Sequence, residues 1–250
     1  MTMLLLAAQI TTAVTIPEFA SVAPNQTFRV AVQVGLEEGW HSYWLNAGDS
    51  GSAPEFNWKL PKGWTVSPPI MPTPHKIDLD GMRNYGFEQS ATVFFNMRAG
   101  SQGGVHQISA DSTWMVCKDT CKMLHRSLRF SVEVATSRPN DAWAPLEAIW
   151  SHVPKPTDWK YSARRQGDQI VLRIGNSQND RLGEGAYFFS EEMGVIDHSA
   201  DQILSTDEMG QTLTMPISAF ARGPIRVLKG VLTDSQRKVG VKIYVSIVSQ

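Results

Sequence analysis

Residues 27–36, "TFRVAVQVGL", alternate between apolar and polar side chains with a period of two. Phe28, Val30, Val32 and Val34 fall on one face, with Arg29 and Gln33 on the other. Successive side chains of an extended chain point to opposite faces, so this pattern reads as a strand with one buried side. The same alternation recurs outward along the chain. Residues 127–135, "SLRFSVEVA", place Leu128, Phe130, Val132 and Val134 on one face, and "QIVLRIG", "QTLTMPI" and "GVKIYVSIV" repeat the signal in the last third. Clusters of Gly, Pro, Asn and Asp separate the runs, as in "NAGDSGSAP", "PPIMPTP" and "RAGSQGG". Helical periodicity is confined to "DAWAPLEAIWSHV", where Leu146, Ile149 and Trp150 share a face.

That short helix sits among Pro139, Pro145, Pro154 and Pro156, with alternating strands on both sides. The expectation is an all-β chain of two tandem β-sandwich domains, residues 1–137 and 158–250, joined by a linker over 138–157. Apolar residues make up 42% of the 250, enough for real cores, and the net charge of -1 calls for no nucleic acid or acidic membrane as partner. The N-terminal run Met3–Ala8 is short for a signal peptide and lacks a basic flank, the first Lys or Arg being Arg29. Its continuation "ITTAVTI" reads as a first strand. An exported protein of this sequence is expected to have had its targeting segment removed.

The chemistry concentrates in "TWMVCKDTCKMLH", residues 113–125, which holds both cysteines, Cys117 and Cys121. As a structural staple the pair is badly placed. A bridge closing about five residues contributes only ~2 kcal/mol in the loop-entropy model, against ~4–5 kcal/mol for a loop of a hundred. As a redox pair it is well placed: Lys118, Lys122, Arg126 and His125 surround it with positive charge that favours the reactive thiolate. The flanking polar turn predicts exposed sulfurs, and Trp114 is expected to pack beneath it. A second reading takes Cys117, Cys121 and His125, with Met123 nearby, as soft ligands for copper. This C-x3-C-x3-H spacing resembles the ligand loop of cytochrome oxidase subunit II, although Leu128 stands where that loop has Met. "GDSG" at residues 48–51 resembles the nucleophile loop of trypsin-like proteases, but without their disulfides it reads as a turn.

The order of "EEGWHSYWLNAGDSGSAPEFNWKLPKGW", "NYGFEQSATVFF" and "WMVCKDTC" resembles the N-terminal periplasmic domain of the DsbD/ScsB family of transmembrane thiol:disulfide interchange proteins. "AYFFSEEMGVIDHSADQ" resembles the second β-domain of the ScsB-like branch. The resemblance implies an immunoglobulin-like fold and a protein-disulfide reductase module in the periplasm. Such a module accepts electrons from a membrane-embedded donor domain and reduces thioredoxin-fold proteins, without a cofactor. It implies that Cys117 and Cys121 are the active site, with Cys121 attacking and Cys117 resolving. It implies a shielding cap at Asn84–Phe87, led by Tyr85 with Phe87 second, and flanking side chains at His41 and Tyr43. Two departures stand out: the cysteines follow the shorter ScsB-like spacing, and Lys122 and Met123 replace the family's usual Pro and Glu.

Overall fold

The computed structural model of the chain describes residues 10–175, 181–235 and 240–249. The run Met3–Ala8, weighed above as a signal segment, lies outside them. The described chain is almost wholly extended, as the alternation predicts. Its first strands are β1 Ile10–Pro17, β2 Phe19–Val22, β3 Thr27–Leu36, β4 His41–Gly48, β5 Glu55–Lys59 and β6 Thr65–Val66. Next come β7 His75–Leu79, β8 Met82–Glu88, β9 Ser90–Arg98, β10 Gly104–Cys117, β11 Cys121–Val134 and β12 Arg138–Pro139. A 3-10 turn, Asp141–Trp143, leads into α1, Ala144–Trp150. The remainder is β13 Tyr161–Gln166, β14 Gln169–Ile174, β15 Tyr187–Ser190, β16 Ile203–Asp207, β17 Gly210–Pro216, β18 Val227–Thr233 and β19 Val241–Ser249.

The strands build two compact units. The first holds the described residues up to Leu45, with Gly51–Pro72 and Gly86–Ser151. The second holds Asn46–Ser50, Thr73–Tyr85 and the described residues from His152 onward. Two short segments from the first half of the sequence thus group with the second unit.

The first unit is an immunoglobulin-like sandwich. One sheet runs β1-β3-β9-β6, and the other runs β12-β2-β11-β10-β4 with β5 also on β10. The face read from residues 27–36 lies inside: Phe28, Val30, Val32 and Val34 are all buried. Phe28 and Val30, with Trp64 and with Met97 of the neighbouring β9, cluster with Ile108, Val132 and Val134 from the facing sheet. Each such side chain contributes roughly 1.5–3 kcal/mol when fully buried. The stretch after β11 packs on this unit too. Arg29 sits over the indoles of Trp143 and Trp150, at 5.1 and 4.8 Å from their centroids, and bonds Glu18 and Glu147. Cation–π contact and ion pairing together hold α1 in place.

The second unit has strand order β15-β18-β19-β13-β14-β17-β16, antiparallel except where β13 meets β19. Ile170, Leu172, Ile174, Phe188, Leu213, Met215 and Leu228 fill its core. Asp80 and Gly81, between β7 and β8, both take positive φ, 49° and 81°. An Asp-Gly pair makes such a tight hairpin turn at little steric cost.

Candidate active site

The site is built on the hairpin of β10 and β11. The two strands pair without a break from Gly104 opposite Val134 to Cys117 opposite Cys121. Lys118, Asp119 and Thr120 form the connecting turn, closed by the Lys118 N–H donating to the Thr120 carbonyl at 3.2 Å. Facing each other across the last rung, the cysteines form a disulfide, with Cα atoms 4.1 Å apart.

β4 supplies the third strand. His41 is the cross-strand partner of Cys117, and Ser42 of Val116. Cross-strand partners project on the same face, so His41, Cys117 and Cys121 form a row over three strands, with Tyr43 one step along the same face of β4. The Tyr43 hydroxyl donates to Cys117 Sγ at 2.8 Å and lies 3.9 Å from Cys121 Sγ. His41 Nε2 is 3.3 Å from that hydroxyl, and the two rings meet edge to face at 5.2 Å.

Burial divides the bridge into two unlike halves. Cys117 is 2% exposed, Tyr43 1% and His41 3%, whereas Cys121 is exposed. The expectation of two exposed sulfurs therefore holds for Cys121 and fails for Cys117, which lies under the phenol. The lysines that suggested exposure point elsewhere. Lys118 Nζ donates to the Glu38 carbonyl at 3.3 Å, and Lys122 Nζ lies over the Trp40 ring at 5.4 Å. The hydrogen bond at the buried sulfur comes from Tyr43. Burial also holds the His41 imidazole below its usual pKa, a shift that the nearby charge of Glu88 opposes.

The "GDSG" turn explains why Tyr43 is where it is. Gly51 has φ +96°, and a Cβ built there would lie 2.3 Å from the Tyr43 ring carbons Cε1 and Cζ. Only a residue without a side chain lets the phenol occupy that space. Asp49 Oδ2 accepts the Arg83 N–H of β8 at 2.7 Å.

The other expected site residues sort as follows. Trp114 is fully buried on the opposite face of β10, its Nε1 donating to Ser112 Oγ at 3.0 Å and its ring 5.5 Å from Phe56. Phe87 is buried in the first unit. Asn84 and Tyr85 group with the second unit. There Asn84 Oδ1 accepts from the Ser50 N–H and hydroxyl. The Tyr85 hydroxyl is 2.8 Å from that of Tyr187 and 2.9 Å from His198 Nδ1. This tyrosine–histidine cluster is absent from the sequence reading, although Tyr187 and His198 both stand in the quoted stretch "AYFFSEEMGVIDHSADQ".

For the copper set, the hairpin register decides the spacing. Met115 faces Met123 and Thr113 faces His125, so His125 lies four residues along β11 from Cys121, about 13 Å in an extended strand. His125 Nδ1 is 3.0 Å from Thr113 Oγ1. Among the described residues no group of three or more His, Cys, Asp or Glu is arranged to hold a metal ion.

Residues 11–129 match the family model described as the N-terminal part of thiol:disulfide interchange protein DsbD. No curated protein is matched by the chain. Among solved structures, the N-terminal periplasmic domain of ScsB from Proteus mirabilis is similar with a TM-score of 0.69 at 20% identity, over 93% of this chain and 91% of that one. At this identity the likeness is one of fold. The N-terminal domain of DsbD from Neisseria meningitidis, in its reduced form, aligns over 50% of this chain and 90% of its own at 16% identity, with a TM-score of 0.30. The matched segment contains His41, Tyr43 and both cysteines, so residues 11–129 carry a domain similar to the N-terminal part of DsbD, with the fold of the ScsB domain.

Proposed function

We propose that this chain is a periplasmic thiol–disulfide exchange module, a protein-disulfide reductase. It takes electrons from a membrane-embedded donor domain and passes them to thioredoxin-fold proteins through Cys117 and Cys121. The observation that carries the reading is the asymmetry of the bridge: one sulfur on an exposed residue at a hairpin tip, the other buried under a phenol. Exchange requires one sulfur that an external thiolate can reach and a second that can leave with the electron pair. Cys121 meets the first requirement. Cys117 meets the second, because a hydroxyl donating to sulfur stabilises the thiolate that forms there.

In the reductive direction the Cys121 thiolate attacks the partner's disulfide. A mixed disulfide forms, and one partner sulfur leaves as thiolate. Cys117 then attacks Cys121 Sγ, the intermolecular bond breaks, and the partner departs as a dithiol while the Cys117–Cys121 bridge closes. A donor dithiol runs the same steps backward and reopens it. The family match over residues 11–129 supports this chemistry, and the periplasmic origin of the ScsB domain supports the compartment.

The test is to equilibrate the protein in glutathione redox buffers without metal and count free thiols by alkylation and mass. A reversible midpoint between about -180 and -270 mV, the range of known exchange proteins, is expected. A bridge still closed below about -300 mV marks a structural disulfide and overturns the proposal.

A further inference from the structure

Resting on the exchange reading above, we infer that His41 is a positioning residue that takes and returns the proton of the Cys117 thiol through the hydroxyl of Tyr43. The geometry gives a continuous path: His41 Nε2 to Tyr43 Oη at 3.3 Å, and Tyr43 Oη to Cys117 Sγ at 2.8 Å. All three groups are buried, so the proton of Cys117 has no direct route to water. Opening the bridge places charge on that buried sulfur, which is unfavourable unless a proton follows.

A phenol cannot complete this task alone. Phenols ordinarily titrate near 10, so near neutral pH a tyrosine neither keeps a proton off the sulfur nor supplies one in quantity. It conducts, but a second group must hold the proton. Histidine is the side chain whose ordinary range suits that role, and burial keeps His41 neutral and able to accept. The surrounding charges leave the path to it. Glu88 on β8 acts on His41 through its field, Lys118 in the turn donates to the Glu38 backbone carbonyl, and Lys122 on β11 lies over the Trp40 ring.

The relay works in the step that closes the bridge. Cys117 attacks Cys121 Sγ in the mixed disulfide, and the Cys121–partner bond breaks with its electron pair on the partner's sulfur. The Cys117 thiol proton passes to the Tyr43 oxygen as the Tyr43 proton passes to His41 Nε2. His41 becomes imidazolium and gives its Nδ1 proton to bulk water as the partner departs, leaving Nε2–H donating to Tyr43 in the oxidised form. Reduction reverses each transfer. The first step, attack by the exposed Cys121, does not use the relay.

The experiment takes the reduced full chain and adds glutathione disulfide across pH 5.5–9. Acid-quenched samples are analysed by mass for dithiol, mixed disulfide and closed bridge. In the wild type the mixed disulfide is expected to be short-lived. In His41→Gln, which keeps a hydrogen-bonding side chain but cannot titrate, mixed-disulfide formation is expected at the wild-type rate. Its resolution should slow by about 100-fold at neutral pH, the ordinary scale of general acid–base catalysis. The slope of resolution rate against pH should change as well, which a purely structural role would not produce. Tyr43→Phe, which keeps the ring and removes the conducting oxygen, is expected to show the same accumulation. If both variants resolve at wild-type rates with the wild-type pH profile, the relay is wrong while the exchange function stands. If the wild type forms no mixed disulfide and no closed bridge, the exchange reading fails and takes the relay with it.

Discussion

Each unit buries a tyrosine hydroxyl against a histidine, and the two arrangements end differently. In the second unit the network branches among several polar groups. Tyr85 bonds Tyr187 and His198, and the Tyr187 hydroxyl donates to the His198 carbonyl at 3.1 Å. Burial drives the Tyr85 phenol far above its usual pKa and raises that of Tyr187. The partners of both hydroxyls there are oxygen and nitrogen groups. In the first unit the chain of hydrogen bonds runs from His41 through Tyr43 and stops on sulfur. The same side chains therefore make a structural lock in one place and the wall of a reactive bridge in the other. What separates them is the atom at the end of the path.

The strongest way to break this comparison is to remove that atom. Cys117→Ser is expected to leave the glutathione mixed disulfide at Cys121 unresolved, read by mass as its accumulation. A variant that forms no mixed disulfide at Cys121 would end the proposal. Next in size is Gly51→Ala. The added methyl meets the Tyr43 ring, and the positive φ strains the backbone, so a loss of about 1–3 kcal/mol in denaturant unfolding is expected together with slower bridge closure. An unchanged closure rate would show that the placement of Tyr43 does not matter.

Tyr85→Phe sharpens the contrast from the other side. It leaves the Tyr187 hydroxyl and the His198 ring short of a buried partner, at a cost of about 1–3 kcal/mol in stability. Exchange rates are expected to stay within about twofold. A faster reaction with glutathione disulfide would support the expected role of Tyr85 as a shield over the cysteines.

A smaller effect should appear in stability against pH. His41 and His198 are both held below the usual value of 6.5, in each case chiefly by burial. The unfolded chain then binds more protons than the folded one between 6.5 and the lowered values. Their contribution is complete above pH 6.5 and is lost as the pH falls through the folded pKa values. Urea midpoints measured from pH 8 to pH 5 should decline in this window, and His198→Gln should flatten part of the slope. The smallest change is expected from His125→Ala, which bonds only Thr113 at an exposed rung and should alter exchange less than twofold. A larger loss that copper restores would revive the metal reading.

Much of this was legible without coordinates, and the rest was not for identifiable reasons. Period-2 runs such as Phe28–Val34 are local, so a sandwich follows from them directly. The cysteine pair was equally plain, because two thiols with only three residues between them are poor at stapling a fold. The burial of Cys117 was hidden by its neighbours. Lys118 and Lys122 suggest a solvated turn, but their long stems lie along Gly39 and Trp40 while the sulfur faces Tyr43. The tie between Gly51 and Tyr43 depends on a turn that doubles the chain back, which no periodicity reports. Tyr85 was visible as a family marker, but its partners Tyr187 and His198 stand more than a hundred residues away in sequence.

The hairpin has one more consequence. Backbone pairing sets every rung from Gly104–Val134 to Cys117–Cys121, so the register itself places the two cysteines opposite each other. Linkage between two equilibria is reciprocal: a bond that adds little to folding is in turn little reinforced by folding. Closing so short a loop adds only about 2 kcal/mol to folding. The module can therefore alternate between dithiol and disulfide many times with its architecture nearly indifferent to which one it holds, as a carrier that must hand on everything it receives requires.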